Sequence, residues 1–226
     1  MFAVAIDGPS GAGKSSVSKA VAQRLGFIYV ETGALYRTVA LYLIRHGISP
    51  EDVDAVTAAL PCISVEMKHE KRGQRMLLCG EDVTDQIRTG AVSTAASVSS
   101  AIPAVRQFLF KLQTDMAEKY NVVMDGRDIG TVVLPHAQVK IFLTASAEER
   151  ARRRMAQLRH QGVTEDYDTV LREIKERDER DRSRELAPLK PCEGAVLVDS
   201  TNNKKMRQTV DIICDLIKEK LKRDWV

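Results

Sequence analysis

The sequence has few of the features that mark secreted, membrane-bound or metal-binding proteins. Its four cysteines form no C-x-x-C pair, and none has a histidine at metal-ligand spacing. We therefore expect reduced, mostly structural thiols, as in cytosolic proteins. No apolar run approaches the length of a membrane span, and the N-terminus lacks the basic region and cleavage site of a signal peptide. We expect a cytoplasmic protein with no membrane partner.

Excess charge of one sign is also missing. The formal net charge is +3 and the pI about 8.6, which is too mild to indicate nucleic acid binding. Local basic patches that face anionic substrates would explain it. Hydrophobic residues make up 44% of the chain and charged residues 29%, as in ordinary globular proteins. We expect a single domain over residues 1–226, a monomer, and no nucleic-acid partner.

A phosphate-binding loop lies near the N-terminus. The apolar run Phe2–Asp7 ends in a glycine-rich turn, and helical spacing follows from Val17 to Leu25. Residues 8–15 fit the pattern G-x-x-x-x-G-K-[ST]. Glycines let successive N–H groups converge on phosphate, and the lysine can reach the β- and γ-phosphates of ATP. The glycine order does not fit a dinucleotide-binding turn. The predicted ATP-binding residues are Gly8, Pro9, Ser10, Gly11, Ala12, Gly13, Lys14, Ser15 and Ser16, with Ser15 also placed to contact Mg²⁺.

The rest of the sequence predicts an α/β fold. Four further short apolar runs, near 27–31, 121–125, 139–144 and 195–199, alternate with segments of helical spacing. This alternation predicts a five-stranded parallel sheet with helices on both faces. Residues 62–85 read instead as a small antiparallel β insertion. Ligands of open α/β sheets bind beyond the carboxyl ends of the strands, so we expect the strand-end acids around the glycine loop. These acids are Asp7, Glu31, Asp125 and Asp199.

Three local features are predicted at the ends and faces of helices. Thr32 is placed to cap the second helix, and Ser146 with Glu149 fits a capping box. The last helix has an apolar stripe, formed by Met206, Val210, Ile213, Ile217 and Leu221.

The stretch Asp125–Asp128 combines a strand-end carboxylate with an arginine. Asp125 can orient Mg²⁺ or its water ligands, and Arg127 can clamp a phosphate with two parallel hydrogen bonds. A solvated turn with a local ion pair is the alternative interpretation.

A very basic helix follows the fourth strand of the sheet. It carries Arg150, Arg152, Arg153, Arg154 and Arg159. These arginines can form a lid that clamps a transferring phosphoryl group and excludes water. They can equally lie on a solvated face with intrahelical pairs such as Glu148–Arg152 and Glu149–Arg153. The sequence leaves both interpretations open.

The helix predicted over Tyr167–Ala187 is highly charged, and it has charges where its apolar stripe should continue. The stripe of Val170 and Ile174 leads to Arg177, Asp181 and Arg184 at helical spacing. Either this face lines a polar binding site, or the helix is laced with surface ion pairs.

Four motifs, in this order along the chain, together closely resemble the bacterial cytidylate kinase family. They are the phosphate loop, Thr32–Arg37, the D-G-R-D-I-G-T-V-V string at Asp125–Val133, and Lys175–Arg182. The third motif is specific to this family among the nucleotide kinases, and the insertion is similar to the family's insert. One position departs from the pattern: Glu31 stands where the family has Asp.

The resemblance implies a P-loop kinase that transfers the γ-phosphoryl group of MgATP to CMP, and to dCMP. It implies that Arg37 and Arg127 grip the acceptor phosphate and that Arg177 and Asp181 contact the ribose. The implied substrate-binding residues are Thr32, Tyr36, Arg37, Ser97, Arg106, Arg127, Asp128, Arg177, Asp181 and Arg184. The predicted catalytic residues are Lys14, Asp125, Arg127, Arg150 and Arg153.

The predicted division of the chain follows from the same resemblance. The core covers about 1–31, 86–145 and 163–226, the monophosphate-binding region about 32–85, and an arginine-rich lid about 146–162.

A GTPase is excluded because no N-K-x-D stretch follows a strand. A kinase for another acceptor, such as UMP or a small metabolite, is the first alternative, and an ATP-binding switch module without kinase activity is the second.

Overall fold

The computed structural model describes residues 1–70, 73–160, 162–202 and 205–224. The chain divides into two compact units. Unit 1 consists of Met1–Tyr29 together with Lys119–Val226, and unit 2 is Val30–Glu118. The division into core, monophosphate-binding region and lid stays a prediction.

The two units contain eight strands and eight α-helices within the described residues. The strands are β1 (Ala3–Asp7), β2 (Ile28–Glu31), β3 (Val65–Glu70), β4 (Gly73–Leu78), β5 (Glu81–Asp82), β6 (Val122–Gly126), β7 (Val139–Thr144) and β8 (Val196–Asp199). The helices are α1 (Lys14–Leu25), α2 (Thr32–Arg45), α3 (Val53–Ala59), α4 (Gly90–Ser99), α5 (Pro103–Lys119), α6 (Ala147–His160), α7 (Tyr167–Ser183) and α8 (Met206–Asp224).

A five-stranded parallel sheet is built in the order β2-β6-β1-β7-β8. Every residue of β1 is buried, because it lies between two strands and is covered on both faces. The register places Ile6 opposite Asp125 on one side and opposite Ile141 on the other. The predicted α/β fold class, with its parallel sheet, is confirmed.

The antiparallel insertion is confirmed as well, within unit 2. Strands β3, β4 and β5 form a separate sheet, with Val65 opposite Leu78 and Leu77 opposite Asp82. Its buried side chains, among them Met76 and Leu78, join the hydrophobic core around α2. Alternate residues of β3 and β4, among them Val65 and Met67, thus face this core.

The helix ends differ from the predictions in two places. Glu31 occupies the N-cap of α2 without a side-chain cap, and Thr32 is the first helical residue, so the predicted Thr32 cap is wrong. The helix predicted to extend to Ala187 ends at Ser183. The Ser146 hydroxyl does accept a hydrogen bond from the Glu149 amide at 3.1 Å, as one half of a capping box requires.

Two surface features also need correction. Met206 is 51% exposed and lies outside the buried stripe of α8, where Val210, Ile213 and Ile217 are buried. All four cysteines are free thiols, and Cys62 and Cys79 are exposed, which does not fit a structural role for these two, whereas Cys192 is half-buried and Cys214 is buried. Across the described ranges, no helix is both long and apolar enough to cross a bilayer.

Candidate active site

The phosphate loop connects β1 to α1, and its shape requires glycine at two positions. Gly8 has a φ of 151°, and a Cβ built on it would lie 1.9 Å from the carbonyl oxygen of Leu143. Gly13 caps α1 in the left-handed region, with a φ of 88°. No side chain fits the first position, and an L-residue is strained at the second. The glycine pattern read from the sequence is therefore a steric requirement of this loop.

Lys14 is buried at the first turn of α1. Its Nζ donates a hydrogen bond to the carbonyl oxygen of Pro9 at 2.8 Å, within the loop itself. Burial holds the pKa of Lys14 well below its ordinary value, Arg127 lowers it further, and Asp125 opposes this effect. A bound phosphate would favour the charged lysine, because an adjacent anion stabilises the ammonium form.

Ser15 and Asp125 provide a pair of hard oxygen donors beside the loop. The Ser15 hydroxyl donates to Asp125 Oδ2 at 3.0 Å, and the Tyr29 hydroxyl donates to Asp125 Oδ1 at 3.1 Å. No cluster of three or more metal-ligating side chains occurs within the described residues. Mg²⁺ does not need one, because it takes one or two protein oxygens and completes its shell with phosphates and water. The two side chains fit that ion.

Arg127 and Arg184 share the carboxylate of Asp181. Arg127 Nε donates to Asp181 Oδ2 at 2.8 Å, and Arg184 Nη2 donates to Asp181 Oδ1 at 2.6 Å. Burial alone would raise the pKa of Asp181, but the two arginines hold it below its ordinary value. Asp181 is thus ionised at neutral pH, and it fixes the orientation of both guanidinium groups.

Arg150 is buried, and its guanidinium group is fully engaged within the protein. Nη1 and Nη2 donate to the two carboxylate oxygens of Asp178 at 2.9 and 2.6 Å. Nη1 also donates to the carbonyl oxygen of Ser10, in the phosphate loop, at 3.0 Å, and Nε donates to that of Ala145 at 2.9 Å. This geometry differs from the exposed arginine that a mobile lid implies, and the catalytic role of Arg150 stays a prediction.

Arg153 borders a cavity of about 540 Å³ beside the loop. Its Nη1 donates to the Ser200 hydroxyl at 3.1 Å and its Nη2 to the Ser200 carbonyl oxygen at 2.8 Å. Its Nε pairs with Glu149 at 3.1 Å, as predicted, whereas Arg152 also pairs with Glu149 and not with Glu148. The cavity is lined by Ala12, Gly13, Ser16, Val17, Glu149, Arg153, Ser200, Thr201, Asn202, Met206 and Thr209.

The strand-end acids of unit 1 do not all face the loop. Asp125 faces Ser15, as expected. Asp199 accepts hydrogen bonds from the amide and hydroxyl of Thr201, in the turn that follows β8. Asp7 accepts from the amides of two residues that follow β6. Of these three acids, Asp125 contacts the loop by a hydrogen bond, whereas Asp7 and Asp199 use their carboxylates on nearby turns.

In unit 2, Glu31 lies between two arginines. Arg88 donates to both of its carboxylate oxygens, at 2.7 and 2.8 Å, and Arg37 donates to Oε1. Burial would raise the pKa of Glu31, but Arg88 and Arg37 hold it below its ordinary value. Gln74, from β4, accepts a hydrogen bond from the Glu31 amide at 2.9 Å. The longer side chain found here in place of Asp thus spans two cations.

The other predicted substrate-binding residues are distributed over both units. In unit 2, Thr32 and Ser97 are buried, Tyr36 packs against the hydrophobic core, and Arg106 donates to the carbonyl oxygen of Ser100 at 3.4 Å. In unit 1, Asp128 is buried and Arg177 is half-buried on α7. Their roles in binding stay predictions.

Several residues that shape these sites were not singled out by the sequence analysis. Arg88, Gln74 and Asp178 each complete a buried contact with a residue that was predicted. No local pattern distinguishes Arg88 or Gln74 from surface polar residues, whereas Asp178 follows Ile174 at helical spacing and lies within the motif Lys175–Arg182. Asn202, in the cavity wall, had one available signal, because it lies three residues after the end of a strand at Asp199.

A family model described as cytidylate kinase matches residues 4–219. The cytidylate kinase of Caldicellulosiruptor saccharolyticus is 49% identical over 199 residues, which cover 88% of each chain. That of Mycobacterium avium is 48% identical over 218 residues, which cover 96% of this chain and 95% of the other. Among solved structures, an uncharacterised protein from Eubacterium ventriosum superimposes with a TM-score of 0.51 at 13% identity, over 96% of this chain and 99% of its own, which is a likeness of fold.

Proposed function

Because the chain belongs to the cytidylate kinase family, we propose that it transfers the γ-phosphoryl group of ATP to CMP and to dCMP. Relatives that carry the name cytidylate kinase support the choice of acceptor. The cluster of Lys14, Ser15, Asp125 and Arg127 around one phosphate loop supports phosphoryl transfer, and it is the observation that carries the mechanism.

The donor phosphates bind over the loop between β1 and α1. The backbone N–H groups at the start of α1 point toward the bound anion, and the helix dipole favours negative charge there. Lys14 exchanges its hydrogen bond with the Pro9 carbonyl for one with the β- and γ-phosphates. The cavity beside Arg153 and Asn202 receives the base of the donor.

The divalent metal is held by Ser15, with Asp125 as its neighbour. An ion held there would supply positive charge to offset the negative charge that develops during phosphoryl transfer. Asp125 keeps the Ser15 hydroxyl oriented through their 3.0 Å hydrogen bond, and Tyr29 orients Asp125 in turn.

Arg127 stabilises the transferring phosphoryl group. Its Nε donates to Asp181 and its Nη1 to the carbonyl oxygen of Gly126 at 3.3 Å, so the orientation of the guanidinium group is fixed. Transfer places charge on the equatorial oxygens, and a preorganised arginine lowers the free energy of that state. The reaction needs no general base, because the acceptor is already a phosphate oxyanion at neutral pH. Positioning and charge neutralisation account for catalysis.

Within unit 2, the Glu31 cluster recognises a phosphate monoester. Arg37 and Arg88 place two positive charges on one buried carboxylate, so the cluster keeps one net positive charge. An arginine fork matches the geometry of phosphate oxygens. Glu31 sets where that fork points.

An acceptor profile tests this function directly. The release of ADP is measured with CMP, dCMP, UMP, AMP and GMP at equal concentrations, with ATP and Mg²⁺ in excess. We expect turnover with CMP and dCMP to exceed that with the other three acceptors. Preference for UMP would contradict the acceptor assignment and leave the phosphoryl transfer intact. ADP release that does not depend on any acceptor would indicate a switch module.

A further inference from the structure

Asp7 is a buried acid whose carboxylate contacts neither the phosphate loop nor a basic side chain at hydrogen-bond distance among the described contacts. It is the last residue of β1, directly before Gly8, and it is 4% exposed. Its Oδ1 accepts a hydrogen bond from the Ile129 amide and its Oδ2 one from the Gly130 amide, both at 2.8 Å. Both oxygens are therefore used on the backbone of one short turn, Ile129–Val133.

This contact closes a short segment of chain at both ends. Gly126, the last residue of β6, lies opposite Asp7 in the parallel sheet. Three and four residues later, Ile129 and Gly130 return to the Asp7 carboxylate. Arg127 lies inside the segment held in this way, so the direction in which its side chain leaves the backbone depends on both attachments.

Gly130 allows the close approach on which the contact depends. A Cβ at this position would lie 2.7 Å from the Cys192 sulfur and 3.4 Å from Asp7 Oδ2. Because Gly130 does not have a positive φ, its need for glycine arises from these neighbours and not from its backbone conformation. Glycine is therefore required here chiefly by Cys192, and an added Cβ would also touch Asp7 Oδ2.

We propose that Asp7 is a positioning residue, which holds the 126–130 segment through two backbone amides and thereby fixes Arg127 for phosphoryl transfer. This inference rests on the proposed function and adds a residue to it that touches neither nucleotide. An aspartate suits the task because a carboxylate accepts two N–H groups at once. Asparagine can accept only one of them and presents an N–H donor to the other.

The protonation of Asp7 provides a readout that a merely structural role would not give. Burial raises the pKa of Asp7 to about 6, despite the two backbone hydrogen bonds, and Asp128 adds to the increase while Lys14 opposes it. Lys140 and Cys192 are the other titratable groups that pack against this turn. Below pH 6 the Asp7 side chain is mostly protonated on one oxygen. It then no longer offers two anionic oxygens to the amides of Ile129 and Gly130.

The experiment compares kcat of the wild type with that of Asp7→Asn between pH 5 and 8. The matched control is Asp211→Asn, a carboxylate on the surface of α8 that pairs with Arg24 and should leave kcat unchanged. At pH 8 we expect kcat of Asp7→Asn to fall about 10-fold, which is the loss of one charge-assisted hydrogen bond, with KM for ATP within about twofold of the wild type. The ratio of the wild-type kcat to that of Asp7→Asn should approach one as the pH falls below 6. Protonation of the nucleotides affects both proteins equally and therefore does not change this ratio.

A double variant tests whether Asp7 acts through Arg127. We expect Asp7→Asn to reduce kcat of Arg127→Met by less than twofold, because the side chain that Asp7 positions is already missing. The proposal would be overturned if Asp7→Asn reduced kcat by the same factor with and without Arg127. It would also be overturned if the ratio of wild-type kcat to that of Asp7→Asn did not change with pH.

An NMR titration decides the matter without relying on turnover or on the variant's folding. In the wild type, the amide signals of Ile129 and Gly130 and the Nε–H signal of Arg127 should shift together, with a midpoint near pH 6. Absence of a common midpoint would contradict the role of Asp7. Absence of CMP-dependent turnover would contradict only the proposed function.

Discussion

The Arg150–Asp178 pair offers the sharpest test of how unit 1 is held together. It joins α6 to α7, and the side chains are 3% and 7% exposed. Replacement of Asp178 by Asn keeps the size of the side chain but leaves the Arg150 charge buried without its counter-ion. Loss of one partner of such a pair typically costs about 3–5 kcal/mol, because the desolvated charge that remains is no longer compensated.

That loss is large compared with the stability of a whole domain. The free energy of unfolding of a natural protein is about 5–15 kcal/mol. For a chain of this length, a change of 3–5 kcal/mol lowers Tm by about 6–20 °C. Guanidinium chloride unfolding, followed by circular dichroism, measures the change directly. The matched control is Asp211→Asn, which breaks the exposed pair with Arg24 and should leave the midpoint of unfolding unchanged.

A second variant separates the ion pair from the space that it fills. In Arg150→Met with Asp178→Leu, both charges are removed and replaced by apolar groups of similar volume. We expect much of the lost stability to return, as for other buried pairs that are replaced together. A loss below about 1 kcal/mol in Asp178→Asn would refute the reasoning, since it would show that water reaches the Arg150 guanidinium group.

Further predictions concern the loop and the nucleotide-binding residues. Lys14→Ala should reduce kcat by at least about 100-fold through loss of phosphate neutralisation, and an unimpaired rate in the ADP-release assay would contradict this role. Gly8→Ala should lower the free energy of unfolding by about 3 kcal/mol in a denaturant titration, because its Cβ meets a backbone oxygen. The control Gly90→Ala, with open space around its Cβ, should not lower it. Arg184→Met should raise KM for CMP, or relax the preference for cytosine, without changing KM for ATP. Unchanged kinetics with both CMP and UMP would indicate that this end of α7 has only a structural role.

The sheet and the loop could be predicted from the sequence because their signals are local. The apolar run before Gly8, the spacing of Gly13 and Lys14, and the helical pattern after them all lie within one stretch of chain. The structure repeats this order as strand, loop and helix. Short-range sterics and hydrophobic periodicity carry this information, and no distant contact is needed to read it.

The buried position of Arg150 and its pairing with Asp178 could not be predicted from local sequence patterns. Its helix has many arginines of equal appearance, and only the partner on α7 distinguishes this one. On α7 the buried face runs through Ile174, Asp178 and Asp181, whereas helical spacing alone also allows the stripe to continue through Arg177. A charged residue on a buried face is stable only when its counter-ion is present, and that counter-ion lies in another element. Single-segment patterns contain no information about it.

The pairing of Glu31 with Arg88 could not be predicted for a related reason. The sequence marks it as a strand-end acid and as a departure from the family pattern, but not as the partner of Arg88, which is 57 positions away. The contact forms because the turn that carries Arg88 packs against α2 in the folded unit. Long-range pairing of this kind depends on the tertiary arrangement, which periodicity does not encode.

The same arrangement of charge occurs once in each unit. Asp181 is shared by Arg127 and Arg184, and Glu31 is shared by Arg37 and Arg88. In both clusters, two guanidinium groups meet one buried carboxylate, so one positive charge remains and its direction is fixed before an anion binds. The arginines hold the pKa of both carboxylates below the ordinary value, so the acids stay ionised as the pH falls from 8 to 5. Neither of these carboxylates therefore titrates near pH 6, whereas burial raises the pKa of Asp7 to about 6.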